Sequence, residues 1–579
     1  MNKDLWQPIN LADMFLTSAE MHADNVALSY KKGHHYENLT YFTLKLEVFQ
    51  LAQGLRELGF KKGDTAILVS ENRPEWVITD LALQLLGCIN VPIHEVLSST
   101  QLSMVIDEVK PKALFFSHEA IEEKLLEIAN DISMIDYLFS FHPLIKSNFK
   151  HLKYFKDLIN ETDVTAKEES ELIETALAIK PDEVASIIYT SGTTGHLKGV
   201  PLTHGNFVAN ILGTLNSILI LPTDKFFSIL PLSHVFERTA GYYIPLYSGA
   251  TISYCLSLET LSQEIQEQKP TIVLAVPRLY EKIYEKIQAK ANKSAVTKLI
   301  FKAAFATHKR SPFYPLFDKL VFSKVKGNFG GNIRFFISGG ASLPKKIGQF
   351  FAKVDMLVLE GYGLTETSPI VAVNQLSHNK FGTVGFPLET LEVKIAKDGE
   401  ILVKGPSVMS GYLRKEDNKE AFTKDGYFRT GDLGKIDTEG FLSIEGRKKD
   451  LLVLTTGKKV APVAIENALE SSLYIEQAMV FGDGRKHIGA LIVPNYEKLS
   501  QELGITGKSK LVKSTEVLEI IKREAYEKTR HMASIDVVHK FILLIEPFSI
   551  KNGELTPKLS LRRHVILEKN AEAIEELYK

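Results

Sequence analysis

Cysteine is scarce in this sequence: Cys88 and Cys255 are the only two in 579 residues, far apart and among apolar neighbours. Such a pair cannot build a thiolate metal cluster, and it points to a reduced, intracellular chain. Long hydrophobic runs are also missing. No stretch of about 18 uninterrupted apolar residues occurs, which argues against a membrane-spanning helix. The nearest approach, residues 207–221, is broken by Asn210, Thr214, Asn216 and Ser217 and predicts a buried helix instead. Net charge is −1, so no global field draws the chain to nucleic acid or to an anionic membrane. Residues 1–7 lack the apolar core of a secretory signal. Neither an internal repeat nor a low-complexity tract is present. What is there is ordinary globular composition, 45% hydrophobic and 24% charged, at a length suited to more than one domain.

The densest chemistry lies between Thr190 and Gly199, where three glycines, four hydroxyl residues and one lysine fall within ten positions. The stretch follows residues 184–188, an apolar run that predicts a buried strand, and it precedes residues 201–206, where a helix is predicted to begin. Gly192, Gly195 and Gly199 let backbone N–H groups turn toward an anion. Thr190, Ser191, Thr193 and Thr194 add hydroxyl donors, and Lys198 adds a mobile positive charge. This is the chemistry of a phosphate-holding loop. It is not the Walker pattern, because the hydroxyls precede the lysine. Before it, residues 1–180 alternate helical and strand-like segments, a rhythm that predicts a parallel sheet covered by helices. Residues 141–180 read as a charged, loop-like connection.

Thr190 to Gly195, with Lys198 and Gly199, resembles the phosphate-binding signature of the adenylate-forming superfamily, which includes acyl-CoA synthetases, luciferases and peptide-synthetase adenylation domains. The later motifs follow that family's order. Residues 229–238 resemble the segment that lines the junction of acyl pocket and nucleotide site in long-chain acyl-CoA synthetases. A lone histidine by an apolar strand is ordinarily a packed core residue; the resemblance instead has His234 orienting the carboxylate and the neighbouring phosphate, with Glu237 beside it. Gly339 and Gly340, followed by Ala341, lack the side chains that would keep a planar adenine off the backbone. The string 358–367 implies Tyr362 and Gly363 at the adenine, Thr365 on the α-phosphate and Glu366 on Mg²⁺. One carboxylate with waters suits a hard cation carried on phosphates.

Residues 382–413 have the short strands and glycine turns of a small β-structure. Asp432 is expected on a tight turn, where by resemblance it accepts the ribose hydroxyls, and Arg447 matches the family's ribose-contacting arginine. Lys449 matches the family's hinge. From residue 450 the composition shifts to a small charged α/β unit, in which the loop Gly457, Lys458, Lys459 approaches the nucleotide or the CoA channel by resemblance.

One departure stands out. Related long-chain enzymes carry Leu-Thr-Pro, two further residues and then a lysine that reaches the α-phosphate. Here Leu555-Thr556-Pro557 leads to Ser560 at that position. Lys558 is the nearest lysine, and a slide of two residues along extended chain is about 6.6 Å and keeps the same face. In the alternative Arg562 or nothing stands in, which would leave a slow enzyme or a binding protein.

The resemblance covers nearly the whole chain. It implies an α/β fold with a large domain over residues 1–449, built of parallel and mixed sheets, helices and a small β-structure. A mobile α+β lid over residues 450–579 follows. The implied activity is ATP- and Mg²⁺-dependent conversion of a fatty acid to acyl-AMP and then to a thioester with CoA. Two alternatives stay open: an acyl-carrier protein as the thiol acceptor, and a nucleotide- or acyl-adenylate-binding protein without turnover. No nucleic-acid partner is expected, and the location implied is cytoplasmic or peripheral at a membrane. Residues 279–330, amphipathic and basic with Phe313, Tyr314, Phe317 and Phe322 among lysines, read either as a membrane-surface patch or as helices packed on the domain.

Overall fold

Unbroken apolar runs such as residues 66–69 and 113–116 suit strands buried on both faces, and such strands build the core. The computed structural model describes residues 5–143, 149, 151–191, 197–549, 551–555 and 561–579. The chain divides into two units, Met1–Val393 with Val403–Arg429, and Lys394–Leu402 with Thr430–Lys579.

The first unit opens with helix Leu11–Met21 and the antiparallel hairpin β1 (Val26–Lys32) and β2 (His35–Thr40). Then come β3 (Thr65–Val69), β4 (Ile89–Ile93), β5 (Ala113–Phe116), β6 (Tyr137–Ser140), β7 (Leu152–Tyr154), β8 (Val184–Ser191) and β9 (Leu197–Thr203). They form one sheet in the order β7-β6-β5-β3-β4-β8-β9, parallel except for the antiparallel pair β8 and β9. The chain continues through β10 (Lys225–Ser228), β11 (Thr251–Tyr254), β12 (Ile272–Ala275), β13 (Phe335–Ser338), β14 (Leu357–Gly363), β15 (Ile370–Val373) and β16 (Phe386–Pro387). With the opening hairpin these make a second sheet, β16-β15-β14-β13-β12-β10-β11-β1-β2, whose middle is parallel and whose two edges are antiparallel.

A buried polar network ties helix Pro74–Leu85 to the π-helix Glu237–Tyr243 that follows His234. Asp80 and Arg238 pair with no exposed side-chain surface. Tyr242 and Tyr243 donate their hydroxyls to Asp80 Oδ2 at 3.0 and 2.8 Å, and Asn90 Nδ2 donates to Oδ1 at 2.7 Å. Arg238 Nη1 donates to Ser186 Oγ on β8 at 2.7 Å. Burial on this scale is tolerable only because every charge has several partners.

Next in the chain, β17 (Glu392–Ile395), β18 (Glu400–Lys404), β19 (Phe428–Ile436) and β20 (Leu442–Arg447) form a four-stranded sheet in that order. The second unit continues with the two-stranded β21 (Leu452–Val453) and β22 (Lys459–Val460), then a three-stranded sheet of β23 (Ile475–Phe481), β24 (Gly489–Pro494) and β25 (Phe541–Leu543). Helices Pro462–Glu470 and Thr515–Thr529 bury Ile465, Leu469, Val517 and Ile521 in one core with Val480 and Leu491.

Three local expectations change. The stretch from 184 to 203 is a pair of antiparallel strands, pairing from Val184↔Thr203 to Ser191↔Leu197 with a register shift between Val184 and Ser186, so a second strand precedes the helix, which begins at His204 within the expected 201–206. Lys198 therefore sits on a strand; the helix His204–Ser217 starts only where Thr203 and Asn206 form a capping box. Residues 152–177 carry β7 and the helices Phe155–Asn160 and Ala166–Leu177, because Phe155, Ile159, Leu172 and Ala176 supply buried positions that a reading by charge density overlooks. Asp432 lies within β19, opposite Arg447 on β20; only its neighbour Gly431 takes a positive φ, of 69°. Both cysteines are free, and burial pushes each thiol up to about 12. No helix among the described residues is long and apolar enough to cross a membrane.

Candidate active site

The site in the first unit is assembled on the turn that follows β14. Gly363 ends that strand, and a Cβ there would lie 2.0 Å from the Pro369 carbonyl oxygen, so only glycine lets the chain double back. The 3₁₀ turn Thr365–Thr367 results, with Thr365 buried. Asn210 of helix His204–Ser217 fixes it: its Nδ2 donates to the carbonyls of Thr367 (3.1 Å) and Ile370 (2.8 Å), and its Oδ1 accepts from Ile370 N–H (3.1 Å). Thr239 Oγ1 adds a bond to Ser368 O at 2.9 Å. Thr365 and Glu366 are thus held from two other elements.

Residues 409–413 bring Lys198 toward Glu366. Met409 N–H donates to Glu366 O (2.9 Å), and Leu413 N–H donates to Gly199 O (3.0 Å). Between them, Tyr412 donates its hydroxyl to Glu366 Oε1 at 2.7 Å, while Lys198 Nζ stands 4.7 Å from the centre of the Tyr412 ring. Lys198 Nζ also pairs with Asp417 Oδ1 at 2.9 Å. A cation, an aromatic face and a carboxylate meet here, although the first and the last lie well over a hundred residues apart. The sequence reading missed Tyr412 and Asp417. Their signal was weak, since a Gly-Tyr pair in a β-rich stretch looks like turn chemistry. Thr190 stands opposite Lys198 in the strand pairing. Gly192, Thr193, Thr194 and Gly195 lie outside the described residues.

Beyond β13 the chain enters Gly339 and Gly340. A Cβ on Gly339 would come within 2.9 Å of the Phe236 ring, and Gly340 has a φ of 84°. Ala341 follows, and Tyr362 lies within β14 opposite Ala372. Glu360, also on β14, shapes this turn by accepting from Leu343 N–H at 3.2 Å and Gly382 N–H at 3.4 Å. Burial raises its pKa to about 7. His234 is half-buried, and its Nδ1 accepts from Phe236 N–H at 3.1 Å, which leaves the neutral ring's proton on Nε2. Glu237 is fully buried, accepts from Ser228 Oγ at 2.6 Å, and is pushed to about 8 by desolvation, so it is mostly protonated at neutral pH.

In the second unit Arg447 Nε pairs with Asp432 Oδ1 at 2.7 Å. Asp432 is buried and its N–H donates to Thr430 Oγ1 at 3.1 Å. Lys449 is exposed on the 3₁₀ turn Lys448–Asp450, beside Lys448, which holds Asp398 (2.8 Å) and Glu400 (2.9 Å). Gly457, Lys458 and Lys459 are exposed, Gly457 with a φ of 76°. Lys558 and Ser560 lie outside the described residues. Among the described residues on either side, Leu555 bridges Leu561 and Arg562 N–H donates to Glu554 O at 2.8 Å. Arg563 is committed to Glu466 at 2.5 Å.

Glu366 suits a hard cation carried on nucleotide phosphates, which needs one protein carboxylate and takes waters elsewhere. Among the described residues, the only group of three side chains able to cage an ion is Glu71, Glu95 and His118, which is separate from Glu366. Glu71 there already accepts from Arg73 at 3.0 Å and from Ser117, so the group reads as an ion-pair cluster.

The AMP-binding enzyme family matches residues 15–413, and the AMP-binding enzyme C-terminal domain matches residues 449–579. The chain belongs to the AMP-binding enzyme family. Its relatives narrow the comparison. It is 33% identical over 549 residues to the long-chain-fatty-acid–CoA ligase FadD15 of Mycobacterium bovis, covering 91% of this chain and 90% of that protein. It is 29% identical to the chloroplastic long-chain-fatty-acid–[acyl-carrier-protein] ligase AEE15 of Arabidopsis thaliana, covering 98% and 86%. The fold is shared with the adenylation domain of a carboxylate reductase from Mycobacterium chelonae, at a TM-score of 0.78 and 22% identity over 100% of this chain and 92% of that one.

Proposed function

We propose that this chain is an AMP-forming acid–thiol ligase that activates a long-chain fatty acid with ATP and passes the acyl group to CoA. The observation that carries this reading is the meeting of Lys198, Tyr412 and Glu366 beside the buried Thr365 turn, in a chain similar to fatty-acid–CoA ligases over nearly its whole length. In the first half-reaction a carboxylate oxygen attacks the α-phosphorus of ATP and pyrophosphate leaves. The carboxylate is its own nucleophile, so the residues need only position and neutralise. Thr190 to Gly195 and Lys198 hold the phosphates, and Thr365 donates to the α-phosphate. His234 Nε2–H holds the acid oxygen, while Gly339 to Ala341, Tyr362 and Gly363 receive the adenine. Glu366 would hold Mg²⁺, which would supply charge neutralisation on the phosphates. In the second half-reaction the CoA sulfur attacks the acyl carbon of acyl-AMP, AMP leaves, and the thiol proton passes to water.

The same reading assigns residues 450–579 as a lid that swings about Lys449. Asp432 and Arg447 hold the ribose, Lys558 approaches the α-phosphate for adenylation, and the Gly457–Lys458–Lys459 loop approaches for thiolation. The free thiols of Cys88 and Cys255 favour a reducing compartment, so a cytoplasmic location with peripheral access to a membrane fits. A carrier-protein acceptor is the second reading, favoured by the carrier-protein ligase among the relatives. Fatty-acid-dependent ATP–pyrophosphate exchange tests the proposal. Exchange that collapses in Lys558→Ala is expected, and absence of exchange with every acid tried, with ATP binding intact, overturns it. Competing CoA against a carrier protein then decides the acceptor.

A further inference from the structure

Residues 279–330 carry eleven lysines and arginines against three carboxylates, a net charge of +8 in a chain whose total is −1. The helices here do pack on the domain through one face: Phe301, Ala304 and Phe305 join a core with Tyr284, Phe322 and Phe350. The opposite face has no such cover. Every residue from 292 to 300 is exposed, although helix Ala295–Ala306 begins within that span. Large apolar side chains stand out from it and from the following turns: Val296 is 66% exposed, Leu299 70%, Phe313 65% and Leu316 54%. Exposed large apolar side chains concentrated in one stretch of chain mark a contact site.

A shallow groove of about 410 Å³ opens beside them. Phe301, Phe305 and Phe350 line it, the last two stacked at 4.9 Å between ring centres, together with Lys302, Lys346 and Lys353. Lys346 Nζ lies 5.2 Å from the Tyr284 ring centre, and Lys353 Nζ donates to Thr307 O at 2.6 Å. An aromatic floor with a cationic rim matches an amphiphile whose head is an anion.

We propose that helix Ala295–Ala306 and residues 313–320 seat on an anionic lipid surface, with Val296, Leu299, Phe313 and Leu316 entering the interface and the surrounding lysines contacting headgroups. The charge decides between occupants: apolar side chains alone would suit any greasy partner, but the excess of cations in the same segment, of which Lys309 and Lys326 are paired with Asp355, favours an anionic plane. The inference does not depend on the ligase reading, because it is tested without turnover.

The test is flotation of the full chain with vesicles of phosphatidylcholine alone or mixed with phosphatidylglycerol. Binding to the mixed vesicles only, weakening as salt rises, is expected. Replacing Lys298, Lys302 and Lys319 together by Gln should lower partitioning on the order of a hundredfold. Val296→Ser, Leu299→Ser and Phe313→Ser combined should lower it on the order of tenfold or more and leave the salt dependence in place. All six positions are exposed, so the unfolding temperature of both variants should match the parent. Equal binding to neutral vesicles, no binding to anionic ones, or unchanged partitioning in either variant overturns the proposal. So does binding to an acidic carrier protein through this face with vesicles ignored. Pyrophosphate exchange with a water-soluble acid, measured without vesicles, reports separately on the ligase reading and should be unchanged in both variants.

Discussion

In the first unit Asp80 and Arg238 pair with no exposed surface and are satisfied by Tyr242, Tyr243, Asn90 and Ser186. In the second unit Arg447, paired with Asp432, leaves 51% of its side chain in water, and Lys449 and residues 457–459 are exposed. Desolvated charge needs all its partners at once, so a buried network fixes the elements that carry it. A charge that stays hydrated can exchange partners at little cost. The first unit is built to hold its site still. The second holds Asp432 and Arg447 on paired strands and leaves Lys449 and the loop 457–459 in water.

The largest expected effect falls on the buried side of that contrast. Arg238→Met leaves Asp80 as an uncompensated buried charge and should destabilise the chain by about 3–5 kcal/mol, with Asp80→Leu in the same chain restoring most of it. Urea denaturation reads both, and a single-variant loss under about 1 kcal/mol would erase the contrast.

Glu237 sharpens it through pH. Its folded pKa of about 8 lies above the ordinary 4.5, so the folded state prefers the protonated acid. The stability this contributes is complete below 4.5 and is lost as pH rises toward about 8. Glu237→Gln cannot titrate and should gain on the parent across that window, reaching on the order of 4 kcal/mol. Parallel stability curves for the two proteins would show that Glu237 is not held neutral.

Under the proposed reading, effects on rate come next. Glu366→Gln should slow pyrophosphate exchange on the order of a hundredfold and raise the Mg²⁺ concentration needed, with the unfolding transition in place. Tyr412→Phe, which removes only the hydroxyl on Glu366, should cost about tenfold. Equal exchange in the parent and both variants would detach this cluster from the chemistry. The smallest effect belongs to the second unit: Lys459→Ala should move stability by no more than about 0.5 kcal/mol, because its side chain is exposed.

Much of the first unit was legible, because residues 1–180 alternate helical and strand-like segments and the apolar run 184–188 falls in β8. The antiparallel partner of β8 was not legible. Leu197–Thr203 contains Gly199 and Pro201 beside a loop-like string, and nothing local says that Val200 and Leu202 lie buried against a neighbouring strand. Residues 152–177 failed for a related reason, since their charge hides the few positions that pack. At the site, glycines with hydroxyls or a carboxylate on a short spacing are local chemistry and stand out in the sequence. Tyr412 and Asp417 act through contacts with Glu366 and Lys198 made across the fold, and no local pattern marks them.

The sequence by itself determined the alternation of helix and strand, the glycine positions that backbone turns require, and the residue types available for phosphate, ribose and cation. Those are properties of short segments, set by backbone sterics and side-chain chemistry within a few residues. Tertiary structure alone decided which of those groups meet, that Glu237 is buried and mostly protonated, and that one face of the basic segment is left in water. Burial and long-range contact set each of these, because desolvation and pairing depend on neighbours far away in the chain.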